Sequence, residues 1–376
     1  MRQTSELLAR GSKFEAHPIQ RPPASVTDAL YRITGRLALP TGLLSQALND
    51  LSKIKDLVER SAHLAALMTG LMARGPVRDD VVEILRAALS LDHAQPAHPR
   101  LALDGRLVVV AGSGKKGLKT FNISTPSAIV AAAAGASIIK VGSRATSSAM
   151  GSRDLVGHLG LREARTAEDA LAEVGRAGFA FIPIEDTIPA VDAMYGGRFH
   201  TINPFSFGLT ALAAPIRGDV LVYGLAHPNV ELGGQILSDF GIADAVVIAS
   251  GNGEGYYADE LGVGPRTLMC HVQGARVSVA AEQDIRALPG YSANDHRLPS
   301  PPTSQVEAAT WALEAISGHG LKVHVWLIAV NAALLLQTAR IVPDLEAGYE
   351  LATEMITSGE ASKKVAELQE EALCRP

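Results

Sequence analysis

From residue 106 onward the chain alternates short, fully apolar runs with stretches of helical periodicity. "RLVVVA" (106–111), "SIIKVG" (137–142), "GFAFIPI" (178–184), "GDVLVYGLA" (218–226) and "ADAVVIASG" (243–251) have strand length and β-branched enrichment. Between them, "TPSAIVAAAAGAS" (125–137) reads as a helix with Thr125 as N-cap and Pro126 at its first position. "PNVELGGQILSDFG" reads as another. Apolar strands joined by crossover helices belong to a parallel sheet buried on both faces. The alternation predicts an α/β lobe over 106–376 with a mostly parallel central sheet, closed by C-terminal helices in "LKVHVWLIAVNAALLLQTAR" and "DLEAGYELATEMITSGEASKKVAELQEEAL". In such sheets ligands bind at the strand ends.

Residues 26–91 carry apolar residues three and four apart and predict a small helical lobe. Gly75 and Pro76 break its last two segments. The polar residues 1–25, ending in "RPPAS", read as an N-terminal arm, and "DHAQPAHPRLALDG" (92–105) as a linker that could serve as a hinge.

With 376 residues, 47% of them hydrophobic, the chain can build a large core, and two lobes are expected. A net charge of −5 speaks against indiscriminate nucleic-acid binding, which needs a basic face. The two cysteines, Cys270 and Cys374, have no CxxC spacing, so neither a disulfide framework nor a zinc site is expected, and a reducing cytoplasm is. The N-terminus lacks the apolar region of a signal peptide, and the longest apolar runs (127–139 and 325–336) are too short to span a bilayer.

The first strand runs into "GSGKKGLKTFNIST", residues 112–125. Strand, glycine loop and helix, in that order, suit an anion: glycines let backbone N–H groups approach it, and the helix start offers free N–H groups. Ser113, Thr120, Ser124 and Thr125 add hydroxyls, and Lys115, Lys116 and Lys119 add charge. The loop is not a GxxxxGK[ST] motif. Gly112, Gly114 and Gly117 follow GxGxxG, but "LKTFNIST" is not a helix start. Alone, it is either a phosphate site or an ordinary βα turn.

The next strand end, "KVGSRATSSAMGS" (140–152), supplies Lys140, Arg144, Ser143, Ser147, Ser148 and Ser152. Two adjacent strand ends so equipped point to one shared polyanion; two solvated loops with helix caps are the alternative. In "NGEGYYADELGVGP" (252–265), Asp259 and Glu260 are adjacent carboxylates after another strand, hard ligands suited to Mg²⁺ beside a polyphosphate, with Glu254 a competing ligand. Away from such a site the pair would be surface charge.

These residues resemble a known family. "GSGKKGLKTFNIST" resembles the "GTGGDG…TFNIST" signature of anthranilate phosphoribosyltransferase, and "KVGSRATSSAMGSRDLVGHLG" resembles its "KHGNRxxSSxSGSADxLEALG". "PAVDAMYGGRFHTINPFSFGLTALAAP" (189–215), "ADELGVGPRT" and the C-terminal "NAALLL" and "EAGYELATEMITSGEASKKVAEL" resemble further family segments, so the likeness covers about 40–370. Pyrimidine nucleoside phosphorylases share the fold and weaker motifs. By position, the resemblance implies that Gly112, Thr120, Asn122, Ser124, Thr125, Lys140, Ser147, Ser148 and Ser152 bind a phosphoribosyl diphosphate, with Ser113, Gly114 and Lys116 in the same loop. It also implies Mg²⁺ on Ser124, Asp259 and Glu260. It further implies a hinged cleft, a helical lobe joined by helices from about 153–176, and a homodimer through that lobe. The substrates would be 5-phosphoribosyl 1-diphosphate and a small aromatic or heteroaromatic acceptor.

Departures from the pattern bear on the reaction. The family's Gly-Asp is Lys115-Lys116 here. If Lys116 points inward, the loop gains direct charge on an anion and needs metal less; if outward, the lysines are solvated. On the acceptor side, Val141 and Ser143 replace a histidine and an asparagine, and Ile188 replaces another histidine. The segment whose arginine binds the anthranilate carboxylate is shortened to "DAMYGG", and Arg198 is the nearest arginine. A less polar pocket (Val141, Ser143, Ile188, Arg198) and an acceptor other than anthranilate, used in specialised metabolism, are expected.

The leading expectation is phosphoribosyl transfer, with Lys140 and Arg144 stabilising the departing diphosphate. His158 and Glu185 are read as structural. Phosphorolysis of a nucleoside is one alternative, and a non-catalytic relative that binds nucleic acid or another anion is a second.

Overall fold

A computed structural model of the chain describes residues 22–93, 105–292 and 298–374. The expected arm lies outside the described residues apart from 22–25, where a helix has already begun, and the expected linker lies outside them over 94–104.

The first lobe contains α1 (Ala24–Thr34), α2 (Leu43–Ser52), α3 (Leu57–Arg74) and α4 (Arg78–Leu91). Leu44, Leu48 and Leu51, then Leu64, Met68 and Leu71, then Val81, Leu85 and Ala88, form the buried stripes that hold these helices together. The long periodic segment divides at residues 53–56, where the Asp56 carboxylate accepts the Glu59 N–H at 2.8 Å and starts α3.

The second lobe opens with β1 (Leu107–Gly112), α5 (Ser124–Ala133), β2 (Ser137–Gly142), α6 (Ser152–His158), α7 (Ala167–Ala177) and β3 (Phe179–Pro183). The short helices α8 (Ile184–Thr187), α9 (Pro189–Tyr195) and α10 (Leu209–Leu212) follow, then β4 (Val220–Gly224), α11 (Val230–Asp239) and β5 (Asp244–Gly251). Next come β6 (Tyr257–Ala258), β7 (Arg266–Gln273), β8 (Arg276–Val277) and β9 (Ala281–Gln283). The chain ends in α12 (Gln305–Ile316), α13 (Lys322–Thr338), α14 (Leu345–Thr357) and α15 (Glu360–Cys374).

One sheet runs in the order β3-β2-β1-β4-β5-β7-β8, with β6 on β5 and β9 on β7. Strands β1 to β5 are parallel, and Val110 of β1 lies opposite Lys140 on one side and Val222 on the other. All five lie where the apolar runs predict. β7, which sequence reading missed, pairs antiparallel with the whole of β5. One sheet face (Val109, Ile139, Tyr223) shares a core with the helical lobe; the other (Val108, Val110, Val222) packs under α5 and α13. α13 is apolar all round because it is buried all round.

Two details differ from expectation. α5 starts at Ser124, with Thr125 inside the helix; the Asn122 side-chain Oδ1 accepts the Thr125 N–H at 3.2 Å at the helix start. The helices around 153–176 lie chiefly on the α/β lobe: α7 covers β2 and β3, and α6 packs on α5 and α12. It is α9, α10 and the 3-10 turn Pro204–Phe207 that pack against the helical lobe. Among the described residues no helix is long and apolar enough to cross a membrane, and Cys270 and Cys374 are both free.

Candidate active site

The strand order reverses between β1 and β4, and the chain builds its cleft at the carboxyl ends of these strands. Gly112 and Gly224 face each other there. A Cβ on Gly112 would stand 2.8 Å from Asp259 Oδ2, so glycine is what admits that carboxylate. Beyond Gly112 the loop wraps Asp259: Gly114 N–H donates to Asp259 Oδ2 at 3.0 Å and Ser113 Oγ donates to it at 3.4 Å. Ser113 Oγ also accepts the Ala226 N–H at 3.0 Å. The far side of the loop is clipped by Gly117 N–H and Leu118 N–H donating to the Tyr257 carbonyl.

The loop after β2 meets this one. Ser147 Oγ donates to the Gly114 carbonyl at 2.8 Å, Thr146 Oγ1 donates to the same oxygen at 3.3 Å, and Asn122 Nδ2 donates to Ser152 Oγ at 3.3 Å. The three loops singled out in the sequence thus close around one cavity of about 620 Å³. Gly112, Ser113, Gly114, Lys116, Asn122, Ser124, Lys140, Arg144, Ser148, Ser152, Asp259 and Glu260 line it on the anion side. Val141, Ser143 and Ile188 line the other wall with Ile184, Val191 and Leu209.

Four expected residues do not line the cavity. Thr120 is buried and its hydroxyl donates to the Phe121 carbonyl. Thr125 is fully buried inside α5. Ser147 acts as the tie between loops. Arg198 is exposed and donates to the Ala193 carbonyl at 2.8 Å. Arg153 does line the cavity but is committed to Glu163, Glu185 and Asp186. Glu254 is exposed and hydrogen-bonds within its own loop, accepting from Asn252. Glu185 Oε1 accepts the Arg144 N–H at 2.6 Å, the structural role expected of it.

The adjacent lysines point apart. Lys115 is 5% exposed and sets its ammonium 5.3 Å over the Tyr195 ring, on the wall made by α9. Lys116 turns to the carboxylates: its Nζ is ion-paired with Glu260 and lies 3.4 Å from Asp259 Oδ1. Asp192 and Tyr195 are site residues that sequence reading did not assign, their only signal being the Asp-x-x-Tyr spacing within "DAMYGG"; Lys115, read as charge for the anion loop, faces the other wall.

Charge in the cleft follows from burial and pairing. Burial pushes Lys140 down to about 8, although Asp259 and Glu260 pull the other way. Its ammonium donates to the Val141 carbonyl at 2.7 Å. Lys115 is likewise lowered to about 8 by burial and by Lys119. Burial works against Lys116, but Glu260 and Asp259 outweigh it and hold its ammonium charged. Burial would raise Asp259, yet Lys116 and the Gly114 N–H keep it below the usual carboxylate range. Burial pushes the Glu260 carboxyl up, and the paired Lys116 ammonium pulls it back toward the charged form.

The expected Mg²⁺ ligands can be tested on this geometry. Asp259 Oδ1 and Glu260 Oε2 are buried and accept no hydrogen bond, as metal ligands would before loading. The cation facing the pair, however, is the chain's own Lys116, ion-paired with Glu260 and 3.4 Å from Asp259 Oδ1. The free protein therefore does not fit a resident divalent ion at Asp259 and Glu260.

The fold and the cleft define a pentosyltransferase: residues 104–362 match the family described as "Glycosyl transferase family, a/b domain". The anthranilate phosphoribosyltransferase of Pyrobaculum calidifontis is 30% identical over 316 residues, covering 82% of this chain and 88% of that one. The fold matches anthranilate phosphoribosyltransferase from Thermus thermophilus with TM-score 0.67 and 24% identity, over 92% of this chain and 99% of that one. It also matches the Saccharomyces cerevisiae enzyme in complex with PRPP and Mg, with TM-score 0.70 and 18% identity, over 94% and 99%. The chain belongs to the anthranilate phosphoribosyltransferase family.

Proposed function

We propose that the protein moves the 5-phosphoribosyl group of 5-phosphoribosyl 1-diphosphate to an aromatic or heteroaromatic acceptor other than anthranilate and releases diphosphate. One observation carries this reading: a single cavity joins an anion cradle, built at the ends of β1 and β2, to a wall of Val141, Ile184, Ile188, Val191 and Leu209. The cradle suits a polyanionic leaving group. The wall suits a flat apolar ring, with Ser143 and Lys115 as its polar contacts.

In this mechanism the C1–O bond to diphosphate breaks, positive charge gathers on the ribose, and a bond from C1 to the acceptor forms. Lys140, which is buried, and Arg144, at the mouth of the cavity, hold the departing charge. Asp192, whose carboxyl burial raises, lies on the acceptor wall and takes the acceptor's proton. A homodimer through the helical lobe fits the exposure of Tyr31, Leu37 and Val58 there, and a reducing cytoplasm fits the free Cys270 and Cys374. The altered acceptor side also supports a role in specialised metabolism.

The test is diphosphate release with anthranilate and then with a panel of aromatic acids, phenols and amines. Turnover with a panel compound and none with anthranilate is expected. Efficient turnover with anthranilate overturns the acceptor assignment. Phosphate-dependent release of a free base instead would make the protein a nucleoside phosphorylase.

A further inference from the structure

We propose that the Lys116 ammonium is a built-in cation standing where a divalent ion would sit against Asp259 and Glu260, so that this site binds its diphosphate ligand without a protein-held metal. The identity of that ligand rests on the phosphoribosyl reading above; the placement of the cation does not.

The geometry is specific. Lys116 Nζ is ion-paired with both acids across 144 and 143 residues of chain. The three side chains are 13%, 6% and 4% exposed, so the pairing occurs out of bulk water, where an unpartnered charge is costly. Asp259 Oδ2 is already used by Gly114 N–H and Ser113 Oγ. That leaves Asp259 Oδ1 and Glu260, which both face the ammonium.

Charge counting gives the same answer. The glycine-loop pattern that this chain resembles has an aspartate where Lys116 stands. With that aspartate and the pair, three carboxylates would share the cleft, a set that asks for a divalent cation. With lysine, two carboxylates meet one ammonium, and Lys140 adds a second buried amine close enough to feel both acids. A magnesium ion needs near-octahedral oxygen ligands at about 2.0–2.1 Å. An ammonium on the same oxygens excludes it by charge and by space. Lysine is a compact point charge with three N–H donors, so a phosphate oxygen can join the two acids around it as the ligand enters.

The test uses Mn²⁺ alone as the probe, followed by paramagnetic resonance, on the wild type, Lys116→Met, Glu260→Gln and the double variant. The wild type should bind Mn²⁺ weakly, and no more weakly after Glu260→Gln. Lys116→Met should bind it at least tenfold more tightly, and the double variant should lose that gain. If Lys116→Met does not fold, the comparison of wild type with Glu260→Gln decides alone: loss of a Mn²⁺ site on that single change overturns the proposal. A second arm measures 5-phosphoribosyl 1-diphosphate binding to the wild type by calorimetry, in EDTA and in Mg²⁺. A difference below tenfold supports the built-in cation, and a loss of tenfold or more in EDTA overturns it. Absence of binding under both conditions would overturn the donor assignment instead, leaving the Mn²⁺ result to judge Lys116.

Discussion

The Ser147 hydroxyl donates to the Gly114 carbonyl at 2.8 Å, joining the loop after β2 to the loop after β1. With the Thr146 hydroxyl on the same carbonyl and the Asn122–Ser152 bond, it sets the distance between the two halves of the anion cradle. Ser147→Ala should leave the fold intact, since one partly exposed hydrogen bond is worth only about 1 kcal/mol. It should raise KM for the donor about three- to tenfold with little change in kcat, read from initial rates at saturating acceptor.

Gly112→Ala should do more harm. The new Cβ would lie 2.8 Å from Asp259 Oδ2, and the carboxylate is pinned by Gly114 N–H and cannot retreat freely. Overpacking of this kind costs about 1–3 kcal/mol. A lowered melting temperature together with at least tenfold weaker donor binding is expected. An unchanged affinity by calorimetry would mean that Asp259 does not shape the cradle.

Donor binding should take up protons above about pH 8. Burial lowers Lys140 and Lys115 to about 8, so above that value the free enzyme has begun to lose these charges. An arriving polyanion restores the charged form. Calorimetry at pH 8.5 in buffers of different ionisation enthalpy reads the uptake, and Lys140→Met should remove part of it. The sign for stability is opposite to that for binding. Between about 8 and the ordinary 10.5 the unfolded chain holds more protons than the folded one, so the cost of burying Lys140 lessens as pH rises through that window.

The acceptor wall hangs from the helical lobe. At the end of α4, the Asp92 carboxylate accepts the Ala190 and Val191 N–H groups at 2.7 and 3.0 Å and so caps α9. Asp92→Ala should cost about 1 kcal/mol, as lost caps do. It should raise KM for the acceptor severalfold while the donor constant holds, a split that steady-state kinetics resolves.

Asp192→Asn should lower kcat by about a hundredfold, the usual scale of a lost general base, with donor affinity retained. A wild-type kcat in this variant would remove Asp192 from the proton path.

The parallel strands were legible because a strand buried on both faces is written as an unbroken apolar run. β7 was not, because "RTLMCHVQ" mixes exposed and buried residues as an antiparallel strand beyond the parallel set does. The break before α3 could have been read from Asp56 and Glu59, a capping signal submerged in a longer periodic stretch. The cradle loops were legible from glycines and hydroxyls at strand ends. The direction of Lys116 was not, since its partners lie more than 140 residues away and only the fold brings them to it. Lys115 looks identical to Lys116 in sequence, and only the observed course of the loop separates their tasks.

The cradle comes from the ends of β1, β2 and β5; Val141, Ser143 and Lys115 reach the opposite wall from those same ends, and the rest of that wall comes from a second piece, 184–210. That second piece behaves as an exchangeable cassette. Its short helix is anchored at one end by Asp92, and the tie to the cradle is made outside that helix, by Glu185 accepting the Arg144 N–H. Selection, or a directed library over 188–197, can therefore change which compound is ribosylated without relearning how the ribose donor is held.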